Sequence, residues 1–246
     1  MQGTGIFAMF ALGALFVGTP GGGSLESVLA ANARSRGNSG GAESLRVRLK
    51  VEEPDFAVEV RYAADRAGRV RVDVFHGGKV VFAEGVDERG AWSRGEDGPV
   101  LEASPDGLAA LEHGRLFNLY GLEELPRLGH RLVLEEPQRR DGRTYDVVRI
   151  ELSDGFRTWR WIDAESGRLE IQRDFRPLHP DVDATRVWIE TRLSDFRGVG
   201  GAELPFASRQ VEAGTQRWLQ TTNILEVERN VCLMDSELRR PGHLSP

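Results

Sequence analysis

The sequence predicts a mainly β protein with a few helices, built on one large curved antiparallel sheet of about ten or eleven strands. Three observations carry that reading. From Ser44 onward, apolar residues recur at every second position through three successive segments joined by short connections. Between Arg143 and Asp195 the chain reads as a meander, with Asp154-Gly155 supplying the positive φ of a tight hairpin and no room for crossover helices. Helical signals are confined to the N-terminal region, a leucine-rich insert over residues 104–128 and one turn near Asp235.

Taken in order, Ile6 to Val17 form an uncharged apolar run. It is too short to span a bilayer as a helix but has the length of a secretory signal core, and the small residues from Gly18 to Ser24 follow it. Residues 1–23 are therefore expected to be a signal peptide and residues 24–246 a single domain, located in the periplasm or otherwise exported. No cysteine follows the run, so lipid anchoring there is not expected. Ser24 caps a predicted helix over residues 25–36, with Leu25, Val28 and Leu29 on one face and Gly37 ending it.

The alternating segments come next. Leu45, Val47, Leu49 and Val51 alternate with charged residues, as do Val58, Val60 and Tyr62, and then Val70, Val72 and Val74. Each strand thus has one apolar and one charged face, which places Arg61, Arg69 and Arg71 on the solvent side. Ser104-Pro105-Asp106 is a strong helix start. The insert it opens carries leucines at 108, 111, 116, 119, 122, 125 and 128, more than a surface helix requires. Gly114, Gly121 and Pro126 are expected to break it into two or three short helices. Strands resume at His130, run through the meander and close with a hairpin around Ala213-Gly214. A sheet of this size twists and must curl, so its apolar face becomes a concavity that helices can cover.

Composition narrows the function. A net charge of −6 argues against general nucleic-acid binding, which relies on a basic face. Cys232 is the single cysteine, which excludes an internal disulfide and a cysteine-based metal cluster. Histidines 76, 113, 130, 179 and 243 are scattered without ligand spacing, so no metal site is expected. Gly37-Asn-Ser-Gly-Gly41 lacks the Lys-Ser/Thr ending of a phosphate-binding loop, and no cofactor is expected. Asp154, Asp163 and Asp195 are read at strand ends or turns, where aspartate bonds the backbone. No nucleophile, acid or base set stands out, so the chain is not read as an enzyme. Trp159 and Trp161 share one face of their strand. Either that face packs as core or outer surface, or it forms a cavity wall.

Several pieces in sequence resemble the LolA/LolB-like superfamily of bacterial envelope proteins. They are Ala33-Arg-Ser-Arg-Gly37 with Gly40-Gly41, Tyr145-Asp-Val-Val-Arg-Ile150 with Asp154-Gly155, Trp161-Ile-Asp163, and Ser166-Gly-Arg-Leu169. The most specific is the run from Leu193 to Phe206, ending Leu204-Pro-Phe206, and the tail Cys232 to Leu238 resembles the usual closing segment. The resemblance spans about Leu25 to Pro241. It implies an unclosed half-barrel with a helical lid over an apolar cavity, an envelope location, and lipid or an acylated lipoprotein as partner, with envelope membrane proteins as further partners. It implies no catalysis. The candidate cavity residues are Val58, Val60, Tyr62, Val70, Val72, Val74, Leu108, Leu111, Leu119, Trp159 and Trp161. A non-catalytic interaction or stress-sensing domain with a self-filled cavity is the alternative reading.

Overall fold

The computed structural model describes residues 23–37, 41–180 and 183–242. The expected signal peptide, apart from Gly23, lies outside them. Helix α1 spans Leu25–Ser35, and its Ser24 cap accepts a hydrogen bond from the Ser27 N–H. Five strands follow: β1 (Ser44–Glu52), β2 (Ala57–Asp65), β3 (Val70–His76), β4 (Lys79–Asp87) and β5 (Gly90–Gly95), with a two-residue β6 at Leu101–Glu102. Helix α2 (Pro105–Leu119) and a 3-10 helix (Leu122–Leu128) form the insert. The chain then runs through β7 (Arg131–Arg140), β8 (Arg143–Glu151), β9 (Arg157–Asp163), β10 (Leu169–His179), β11 (Asp183–Val199), β12 (Ala202–Glu212) and β13 (Trp218–Arg229).

All thirteen strands belong to one sheet in the order β6-β5-β4-β3-β2-β1-β13-β12-β11-β10-β9-β8-β7, and it is not closed. Every pairing is antiparallel. The count exceeds the ten or eleven expected partly because a two-residue edge strand such as β6 leaves no alternating pattern to read. β1 and β13, far apart in sequence, pair at the centre, so neither the first nor the last strand is left as a sheet edge. The sheet curls strongly. His179 at the end of β10 lies 3.0 Å from Glu53 in the β1–β2 turn, although three strands separate β10 from β1 in the order.

The concave face packs on the helices in two places. Under α2, Leu45, Val47, Ala64, Val70 and Val86 meet Leu111 and Leu119. Under α1 and the 3-10 helix, Val148, Ile150, Leu152 and Ile162 meet Val28, Leu29, Leu122 and Leu125. Gly114 does not break α2. The helix runs through it, because docked leucines supply more stability than one glycine costs. The break falls at Gly121, and Pro126 is accommodated inside the 3-10 helix.

The charged face of the early strands is less open to solvent than its pattern predicts. The tail beyond β13 crosses it, with Arg71 donating to the carbonyls of Ser236 and Arg239, and Arg240 bonding Asp87 at 2.9 Å. Leu238 and Trp92 are fully buried in this region. Period-two alternation tells the two faces apart, but it does not say what else the chain lays across either one.

Candidate functional site

A cavity of about 580 Å³ lies between the helices and the concave face. Small-molecule sites occupy roughly 300–1,000 Å³, so its size suits a ligand. Its apolar wall includes Leu45, Val47 and Leu49 of β1, Ile224 and Val227 of β13, and Phe117 and Leu122 of the insert. Period two places the β1 residues on one face, and the β1–β2 register sets Val47 opposite Tyr62. Tyr62 also lines the cavity, and burial pushes its hydroxyl up to about 12, against a weaker pull from Asn118 and Arg115.

The β9–β10 side of the cavity is polar. Arg160, Gln172, Asp174 and Arg176 line it, with Arg160 only 3% exposed and Asp174 5%. Arg160 donates to Gln172 and stacks on the Phe117 ring of α2 with 4.4 Å from guanidinium carbon to ring centroid. Burial pushes the Arg160 guanidinium down from its ordinary value, offset in part by the field of Asp174. It remains a cation, since arginine does not deprotonate in proteins.

Hydrogen bonds and ion pairs pin each helix to the sheet or to its neighbour. Arg66 of the β2–β3 turn reaches the Ala42 and Leu119 carbonyls and the Glu124 carboxylate, and lies over the Tyr120 ring. Burial alone would raise the Glu124 carboxyl, but the Gly121 N–H and Arg66 hold it below its ordinary value. Gly41 is tied into the same junction, where a Cβ would collide with the Leu119 carbonyl oxygen. Arg36 at the end of α1 pairs with Glu123 at 2.7 Å. On α2, His113 bonds Asp154 of the β8–β9 turn at 2.7 Å, and Asp106 pairs with Arg186 of β11. His113 is thus turned inward, against the Phe156 ring, rather than standing on a wet face.

The candidate residues separate by position. Tyr62 borders the cavity. Val70, Val72, Leu108, Leu111 and Leu119 pack together between α2 and the early strands. Val58, Val60 and Val74 share that face, paired with Val51, Leu49 and Val60 respectively. Trp159 and Trp161 lie on the opposite face, because Arg160 between them faces the cavity. Trp161 packs there with Tyr145, Val147 and Ile171. Arg160, Gln172 and Phe117 border the cavity although alternation singled none of them out. An arginine between two tryptophans reads as the wet face of a strand, and only the curl brings it inside.

Asp154 and Asp163 do turn work, the first accepting from the Phe156 N–H and the second from the Ser166 N–H. Asp195 does not sit at a strand end. It lies inside the long β11 at φ 53° and pairs with Arg197 at 2.6 Å. Among the described residues, no cluster of three or more His, Cys, Asp or Glu is placed to hold a metal ion. No helix of the described residues is long and apolar enough to cross a membrane.

No family model matches the sequence, and no curated protein matches it. Solved structures do share the fold. A LolA superfamily protein from Nitrosomonas europaea superposes with a TM-score of 0.60 at 11% identity, covering 87% of this chain and 97% of that one. A DUF1329 family protein from Desulfovibrio piger gives 0.58 at 9% identity, over 86% and 95%. A domain from Vibrio parahaemolyticus described as outer membrane lipoprotein-sorting gives 0.58 at 10%, over 86% and 96%. The expected LolA-like fold is therefore what the chain adopts.

Proposed function

We propose, from a sheet with the LolA superfamily fold, that this protein is an exported, non-catalytic binder or carrier of a lipid or lipid-modified protein in the bacterial cell envelope. The observation that carries the reading is the cavity of about 580 Å³, open to solvent on one side, between the largely apolar concave wall and the helices. Twelve methylenes withdrawn from water are worth about 10 kcal/mol before ordering costs. An apolar wall of this kind is therefore sufficient for useful affinity. Export, with removal of residues 1 to about 23, belongs to the same proposal and is checked by the N-terminus of protein recovered from the envelope.

Native mass spectrometry of protein purified from its own host tests binding directly. A bound amphiphile, or a mass shift on adding oleate, is the expected result. Protein that is empty and stays empty with every amphiphile tried sinks the carrier reading. It would favour the second reading, an interaction or sensing domain, for which one feature speaks: α2 already fills the β1–β4 end of the trough with Leu108, Leu111 and Leu119.

A further inference from the structure

A cavity that only sheltered acyl chains would need no charge in its wall, yet this one holds two half-compensated cations. The arginines at 36, 160, 168, 176 and 229 line it, against the carboxylates of Asp174 and Glu203. Arg168 and Glu203 satisfy each other at 2.7 Å. Arg36 is held by Glu123. Arg160 and Arg176 have one lining carboxylate near them, Asp174, whose Oδ2 is 3.7 Å from the Arg176 Nε. Arg160 makes no ion pair among the described residues, and Gln172 is its one hydrogen-bond acceptor there.

Burying a cation without a counter-charge costs several kcal/mol, and a guanidinium carries five donors suited to a forked anion. The neighbouring polar atoms are also incomplete. Register places Arg160, Gln172, Thr191, Gln210 and Gln220 in one row across β9 to β13, on the concave face. Within and beside that row, Thr191 Oγ1, Gln210 Oε1 and Asp174 Oδ1 are buried without a hydrogen-bond partner. Buried polar groups in native proteins are nearly always bonded, so the open Asp174 oxygen, which lines the cavity beside two arginines, has the chemistry of a site. Asp174 is itself 5% exposed and lines the cavity.

We propose that the β9–β10 wall of the cavity is a headgroup receptor, in which Arg160 and Arg176 take the anionic group of a bound amphiphile while the Asp174 carboxylate accepts from its hydroxyls. The inference rests on the acyl-binding reading and sharpens it to an anionic ligand. The acyl chain then lies along the Leu45–Leu49 wall, and Phe117 of α2 closes over Arg160. The anion can be a carboxylate or a phosphate, which the test separates.

Titration calorimetry with three single-oleoyl ligands makes the comparison: oleate, lysophosphatidylglycerol, and neutral monoolein. Each is run on the wild type and on Arg160→Gln and Arg176→Gln, with circular dichroism and the thermal midpoint of each variant as a folding control. One charge-assisted contact corresponds to about tenfold or more in Kd. Wild type should bind at least one anionic ligand about tenfold tighter than monoolein, and the tighter of the two identifies carboxylate or phosphate. Arg160→Gln should remove most of that preference and leave monoolein unchanged. If Arg160→Gln does not fold, Arg176→Gln, at a half-exposed position, should still lose part of the preference. Equal affinity of wild type for all three ligands overturns the headgroup site while leaving the carrier reading intact. So does a variant that loses all three ligands alike, which makes the arginine structural. Failure of every ligand to bind overturns both.

Discussion

Glu190 shows most sharply how a single residue is bound into this fold. Its side chain is 3% exposed on the face opposite the cavity, with Arg140 of β7 at 3.0 Å and Arg173 of β10 at 2.6 Å. Burial alone would raise its carboxyl, but the two guanidiniums hold it below the ordinary value. A folded-state value below the unfolded one stabilises the protein at pH above about 4.3, and that contribution is lost as pH falls through the folded-state value. Glu190→Gln is expected to cost about 3 kcal/mol in urea unfolding at neutral pH, because it leaves two arginines facing no charge. Below pH 4 the gap between the variant and wild type should narrow. Gly114 makes the converse case. It lies inside α2, and a Cβ there would meet nothing within 4 Å. Gly114→Ala should therefore raise stability by about 0.5–1 kcal/mol. Gly167 sits at φ 72°, where a Cβ would fall 2.6 Å from the Ala31 carbonyl oxygen, and the same substitution should cost more there than it gains at Gly114.

At the scale of elements, α2 is held to the sheet by side chains alone. It docks on the sheet through leucines and is tied by two polar side-chain contacts, the hydrogen bond between His113 and Asp154 and the ion pair of Asp106 with Arg186. The meander strands β8 and β9, which lie under α1 and the 3-10 helix, are hydrogen-bonded to neighbours on both sides. Amide exchange should accordingly be faster over residues 107–119 than over 145–163 in the free protein, and an added acyl ligand should change exchange mainly in the former. Equal protection in both, unmoved by any amphiphile, would mark α2 as a fixed plug. Asp154→Asn should widen the difference by weakening the contact to His113. Acid should act likewise. The Phe156 N–H and His113 outweigh burial and hold the Asp154 carboxyl below its ordinary value, so the contact persists above about pH 3.9 and is lost as pH falls through the folded-state value.

For the molecule as a whole, the tail decides how the early strands are finished on their outer side. Leu238 is fully buried in that tail, and Arg240 clasps Asp87 in a pair whose carboxylate side chain is 2% exposed. Leu238→Ala is expected to cost about 3 kcal/mol, measured by denaturant unfolding, since it removes a packed leucine from a closed site. An effect below about 1 kcal/mol would mean the tail lies on the sheet without stabilising it.

How much of this was legible beforehand follows from the range of each interaction. The strand-forming segments, the Ser24 and Ser104 caps, the turn roles of Asp154 and Asp163 and the one-sided early strands are all local. Each is set by residues two to four positions apart, and each stands in the structure as expected. The sequence by itself thus determined a large, mainly antiparallel sheet with a helical cover. Tertiary structure decided the rest. Only the pairing of β1 with β13 and the curl of the sheet brought Arg160, between two tryptophans of the outer face, into a cavity with Phe117. Only docking carried α2 unbroken through Gly114, turned His113 inward and tied the tail to Arg71 and Asp87. The physical reason is the same in each case. Alternation fixes which residues share a face, whereas the burial of that face depends on chain segments far away in sequence.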